Sequence, residues 1–164
     1  MGLSQPAWSP DGSTLAYVLH VQLDQARVVV RSMTGDLALS GSERSMAEAD
    51  EAGTPMFPTF DAAGRLYEST GINGRSQLRE LDPATGAVVR SVPLPDDAYG
   101  EGLALVGDTF VQLTWKEGLA FTWDAATFTQ TGAFDYAGQG EGWGLCFDGA
   151  RLVMSNGSDR LTFR

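Results

Sequence analysis

One short pattern occurs four times along the chain. Ala7-Trp8-Ser9-Pro10-Asp11-Gly12 leads into Thr14-Leu15-Ala16-Tyr17-Val18, and Thr59-Phe60-Asp61-Ala62-Ala63-Gly64 leads into Arg65-Leu66-Tyr67-Glu68. Leu105-Val106-Gly107-Asp108 runs into Phe110-Val111-Gln112-Leu113, and Leu145-Cys146-Phe147-Asp148-Gly149 runs into Arg151-Leu152-Val153-Met154. With Leu15, Leu66, Phe110 and Leu152 as equivalent points, the spacings are 51, 44 and 42 residues. Each copy is an apolar strand, an Asp/Gly turn and a second apolar strand. A period in the forties built this way is that of propeller blades of about four strands. The sequence therefore predicts an all-β propeller of about four blades whose last blade lacks its outermost strand. Four blades result if the ring closes; if it does not, an open arc results, or an edge through which two copies can pair as a homodimer.

The strands can be placed within this frame. The first blade covers 1–41, with strands at Pro6-Trp8, Thr14-His20 and Arg27-Met33, then a Thr34-Gly35-Asp36 turn into Leu37-Leu39. Residues 42–53 are small and acidic with little apolar periodicity, which predicts a solvated loop. Residues 54–164 hold the remaining blades in the same single domain. Asp82-Pro83-Ala84-Thr85-Gly86 is a specific hairpin signal, because Pro fixes φ and Gly supplies a positive one. Leu103-Val106 and Phe110-Trp115 flank a Gly107-Asp108 turn, and polar and aromatic residues gather at their ends: Gly100-Glu101-Gly102 before, Trp115-Lys116-Glu117-Gly118 after. Strand ends and loops of a rigid scaffold are where function concentrates.

Composition narrows the partners. A net charge of −10 repels nucleic acid and anionic membrane surfaces, and no local basic patch offsets it. No apolar run approaches the roughly 20 residues of a membrane helix. Met1-Gly2-Leu3-Ser4-Gln5-Pro6 lacks the basic start and apolar run of a signal peptide, which leaves the compartment open. Cys146 is the only cysteine; its neighbours Gly144, Leu145 and Phe147 predict a buried, inert thiol. His20 stands alone on a strand, so no metal site or cofactor motif is present in the sequence. Trp8 and Trp123 read as packing residues.

From Gly64 onward the chain carries Leu66-Tyr67-Glu68-Ser69-Thr70-Gly71, Gly100-Glu101-Gly102-Leu103, Val111-Gln112-Leu113-Thr114-Trp115-Lys116, Glu141-Gly142-Trp143-Gly144-Leu145 and Met154-Ser155-Asn156-Gly157-Ser158. Five runs in this order over about 100 residues resemble the β-propeller type of glutaminyl-peptide cyclotransferase of plants and bacteria. Pro6-Ala7-Trp8-Ser9-Pro10-Asp11-Gly12 with Leu15-Ala16-Tyr17-Val18 resembles instead the PD40 repeat of TolB-type propellers. The chain thus reads as a hybrid, arising by recombination, by assembly from fragments or as part of a gene.

The resemblance implies an acyl transfer in which the α-amine of an N-terminal glutamine attacks its own side-chain amide, leaving pyroglutamate and ammonia, with no cofactor. It implies a peptide with an N-terminal glutamine as partner, and secreted or periplasmic relatives. Such a reaction needs a proton shuttle, and a carboxyl in an apolar pocket suits that task because desolvation raises its pKa. Glu68 is the expected shuttle, near the channel at a strand end. Trp115 and Trp143 are expected to wall the pocket, with Glu101 and Lys116 among the substrate-binding residues. Glu101 and Glu141 sit in matching x-Glu-Gly corners, which also suits a repeated structural role such as capping backbone N–H groups. Two departures bear on activity: Thr54-Pro55-Met56-Phe57-Pro58 stands where the family carries Phe-Thr-Gln-Gly-Leu, and the chain stops before the family's Asn-Glu-Leu-Glu-Tyr and Ala-Asn-x-Trp runs. The rival reading is a non-catalytic propeller scaffold or binding module.

Overall fold

The computed structural model describes residues 2–22, 25–32, 43–48 and 54–164. Among these residues there are strands and turns and no helix, and no helix is long and apolar enough to cross a membrane.

The first sheet holds β1 (Gly2–Trp8), β2 (Thr14–Gln22), β3 (Gln25–Ser32) and β4 (Glu43–Glu48). The second holds β5 (Thr54–Phe60), β6 (Leu66–Gly71), β7 (Gln77–Leu81) and β8 (Val88–Pro93), and the third β9 (Gly100–Val106), β10 (Thr109–Thr114), β11 (Leu119–Asp124) and β12 (Gln130–Asp135). The fourth has β13 (Leu145–Phe147), β14 (Leu152–Ser155) and β15 (Leu161–Phe163). Every sheet is an antiparallel meander in chain order, and the first strands neighbour one another, β1 beside β5, β5 beside β9 and β9 beside β13. This is the blade arrangement that the repeat predicts, with three strands in the last sheet.

Three apolar layers cement the sheets. Ala16 and Val18 of the first sheet meet Leu66 and Leu81 of the second. Tyr67 and Leu78 of the second meet Leu103, Phe110, Phe121 and Trp123 of the third, with the Tyr67 and Phe110 ring centroids 4.6 Å apart. Val111, Leu113 and Tyr136 of the third meet Leu145 and Met154 of the fourth. β6 is accordingly buried at all six positions, because alternate residues serve opposite neighbours. The outermost strands β8 and β12 are mostly exposed.

The turns follow their residue types. Asp82 Oδ1 accepts the N–H groups of Ala84 (2.7 Å) and Thr85 (3.0 Å), and Gly86 adopts φ 78°. Gly107, at φ 59°, opens the two-residue turn between Val106 and Thr109.

Three expectations need correction. The stretch expected to be a loop at 42–53 carries β4, whose register on β3 sets Arg27 opposite Glu48 and Arg31 opposite Glu43. A backbone ladder can hold an outermost strand whose sequence has no apolar alternation. The Thr34-Gly35-Asp36 turn and the strand at Leu37-Leu39 lie outside the described residues, as does the side chain of His20. Cys146 is exposed, not buried: Leu145 beside it turns toward the third sheet, whereas Cys146 faces an open cavity of about 900 Å³ between the inner strands. Trp8 lines the same cavity and is 46% exposed, so of the two tryptophans read as packing residues only Trp123 is buried.

Candidate functional site

Three chain segments of the third and fourth sheets meet at one end of the propeller. β9 begins with Gly100-Glu101-Gly102, Trp115-Lys116-Glu117 follows β10, and Glu141-Gly142-Trp143-Gly144 leads into β13. Backbone bonds lock them together: Gly102 N–H donates to Trp143 O (2.8 Å), Gly142 N–H to Trp115 O (2.7 Å), and Trp115 N–H to Tyr99 O (2.9 Å). Gly102 is required by this approach, since a Cβ there would lie 2.6 Å from Trp143 O.

The side chains converge as well. Trp115 Nε1–H and Trp143 Nε1–H both donate to Glu141 Oε2, at 2.7 and 2.9 Å. Lys116 Nζ lies 3.8 Å from Glu141 Oε1 and 3.7 Å above the centre of the Trp115 ring, and the Tyr99 ring lies 5.5 Å from that of Trp115. Gly157, in the Met154–Ser158 run, sits so close to the Trp143 indole that a Cβ there would meet it at 2.8 Å.

The two carboxyls of the matching corners behave oppositely. Glu101 is buried, and desolvation, with the charges of Glu141 and Glu117 behind it, pushes its pKa up to about 8. Glu141 is held below the usual glutamate range by the indole N–H of Trp143, then that of Trp115, and by Lys116. Tyr99 and Tyr136, both raised chiefly by burial, also feel the Glu101 charge. Two carboxyls driven apart in this way give one group that stays ionised near neutral pH and one that exchanges a proton there.

Of the residues singled out in the sequence, Trp115, Trp143, Lys116 and Glu101 come together here; Glu68 does not join them. It lies within β6 opposite Pro58 and Arg79, not at a strand end, and its Oε1 is 3.3 Å from Arg79 Nη1. Both side chains are almost wholly buried, on the β6 face that carries Leu66 toward the first sheet. A run of six buried residues does not reveal which face each one serves, hence the different expectation. Sequence reasoning passed over Glu141 as the organiser of the indoles, although the paired x-Glu-Gly corners marked it. The 900 Å³ cavity is lined by Trp8, Phe60, Leu103 and Cys146 among others, and by none of the five residues predicted for the site. Among the described residues no group of three or more His, Cys, Asp or Glu could hold a metal ion.

The family model described as glutamine cyclotransferase matches residues 59–164. The chain belongs to this family. A glutaminyl-peptide cyclotransferase of Arabidopsis thaliana is 35% identical over 96 residues, 58% of this chain and 30% of that protein. A crystal structure of Myxococcus xanthus glutaminyl cyclase superposes with a TM-score of 0.55 at 40% identity, over 62% of this chain and 41% of its own. The chain thus spans well under half the length of these glutamine cyclotransferase relatives. Chains in a mitotic checkpoint complex (TM-score 0.69, 19% identity, 98% of this chain and 47% of that one) and in a nidogen–laminin complex (0.65, 21%, 89% and 53%) share the fold. The segment 59–164 contains every residue of the Glu101–Trp115–Glu141–Trp143 cluster.

Proposed function

We propose that the chain acts as a glutaminyl-peptide cyclotransferase, with Glu101 as the proton shuttle in place of Glu68. The observation that carries this reading is a buried carboxyl with a pKa of about 8 within range of the charge of a second carboxylate on which two indoles are fixed. The reaction forms a bond between the α-nitrogen of an N-terminal glutamine and its side-chain amide carbon, breaks the bond from that carbon to the amide nitrogen, and releases ammonia. Ionised Glu101 takes a proton from the attacking amine, and the acid so formed returns it to the departing nitrogen. A group titrating near 8 populates both forms at working pH, which is the condition for efficient general acid–base catalysis. Trp115 and Trp143 hold the glutaminyl side chain by apolar contact. Glu117 and Glu141 supply negative charge that favours a substrate ammonium group over an acidic N-terminus.

The first sheet carries a turn of its own kind: Asp11 Oδ1 accepts Ser9 Oγ–H at 2.6 Å and Ser13 N–H at 3.0 Å, and Thr14 N–H donates to Ser9 Oγ at 2.9 Å. This turn supports its reading as a TolB-like PD40 blade joined to the cyclotransferase segment.

The test is ammonia release from a glutaminyl dipeptide by the purified chain. Turnover is expected, and Glu101→Gln lowers kcat by about 10²–10⁴-fold. Equal turnover in Glu101→Gln removes the shuttle assignment. A folded chain that binds the dipeptide without releasing ammonia is a binding module, a reading to which the separation of the indoles from the 900 Å³ cavity lends weight.

A further inference from the structure

Among the described residues, Glu141 accepts a hydrogen bond from both indoles. Its carboxylate projects from the loop before β13, and a single oxygen, Oε2, accepts Trp115 Nε1–H at 2.7 Å and Trp143 Nε1–H at 2.9 Å. The two tryptophans come from different sheets: Trp115 follows β10 of the third, and Trp143 precedes β13 of the fourth. Lys116 completes the arrangement, 3.8 Å from the other carboxylate oxygen and over the Trp115 ring. Trp143 is 46% exposed, so packing alone does not fix its ring, and the edge-on hydrogen bond supplies the missing constraint.

We propose that Glu141 is the positioning residue of the site, a carboxylate clasp that sets the separation and tilt of Trp115 and Trp143 so that their faces form one slot across the joint between two sheets. This inference rests on the cyclotransferase reading only for what the slot holds, namely the methylene stem and amide of an N-terminal glutamine. Hydrogen bonds from neutral donors to a carboxylate are shorter and stronger than neutral pairs, and two on one oxygen restrict both rings at once. A glutamine at 141 keeps an acceptor oxygen but loses the charge; an alanine loses both. The pair of variants therefore separates holding the rings from charging the site.

The groups facing Glu141 are the two indoles and Lys116, with Glu101 on β9 within range of its charge and Glu117 charging the same neighbourhood. Indole ¹⁵N–¹H resonances of the full chain, assigned with Trp115→Phe and Trp143→Phe, provide a readout independent of turnover. In the unsubstituted chain the Trp115 and Trp143 signals are expected to move together with one apparent pKa below that of an ordinary glutamate, and E141Q abolishes that shared step. Indole signals that titrate separately in the acidic range, or that keep the low-pH step in E141Q, overturn the clasp. With a glutaminyl dipeptide, E141A is expected to raise KM about tenfold with a smaller change in kcat, and E141Q restores most of it. An unchanged KM in E141A overturns the positioning role. A chain with the shared titration and no ammonia release keeps the clasp and loses the cyclotransferase reading, so the two failures are distinguishable.

Discussion

The raised pKa of Glu101 makes a prediction about stability that needs no substrate. Its carboxyl titrates near 4.5 in the unfolded chain and at about 8 in the folded one. Between these values the folded state holds a proton that the unfolded state has released, so stability falls as pH rises through that window and levels off above it. From pH 5 to pH 9 about three pH units of this window are crossed, at about 1.36 kcal/mol each, for a loss of about 4 kcal/mol. Glu101 is 6% exposed, so solvent screening removes little of this. Glu101→Gln keeps the shape and cannot ionise; any cost of burying its amide is the same at both pH values. Urea unfolding of both chains at pH 5 and pH 9 therefore isolates the ionisation, because every other titrating group cancels in the difference. The variant is expected to gain about 4 kcal/mol on the unsubstituted chain between the two conditions. A gap that stays constant within about 0.5 kcal/mol refutes the argument, for Glu101 then ionises in the ordinary glutamate range and is no shuttle near neutral pH.

Glu68→Gln removes one charged partner of Arg79 from a buried pair and is expected to lower stability by a few kcal/mol, about 3–5 at most, with KM of the folded fraction unchanged; loss of turnover at full stability returns the shuttle to Glu68. Cys146, exposed on β13, reacts with a thiol reagent in the native chain, and labelling that waits for unfolding contradicts the placement of β13.

What was legible in the sequence was whatever repeats or alternates. β2 occupies Thr14–Gln22 where a strand over Thr14-His20 is expected, and the hairpin about Gly107-Asp108 joins β9 to β10 in the predicted place, because apolar strands flanked by Asp/Gly turns have few alternatives. β4 was not legible, since Glu43–Glu48 shows no apolar alternation in sequence and is held to β3 by its backbone ladder. Cys146 was misread for a related reason: apolar sequence neighbours share a strand but not a face, and Leu145 alone turns inward. Glu68 shows the opposite limit. In a strand buried on both sides, alternation is lost, and a charged residue there signals a partner across an interface at least as readily as a catalytic group.

The two x-Glu-Gly corners carry the deeper point about reading function from such repeats. Gly100-Glu101-Gly102 and Gly140-Glu141-Gly142 are the same three residues in successive blades, and local sequence assigns them one role. The propeller gives them two. The first corner is part of β9, so Glu101 is buried and desolvation works against its charge. The second lies in the loop before β13, where two indoles and a lysine reach it, so its charge is secured. The charge secured on Glu141 then helps to keep the proton on Glu101. The acid–base asymmetry of the site is thus a product of blade geometry acting on identical motifs.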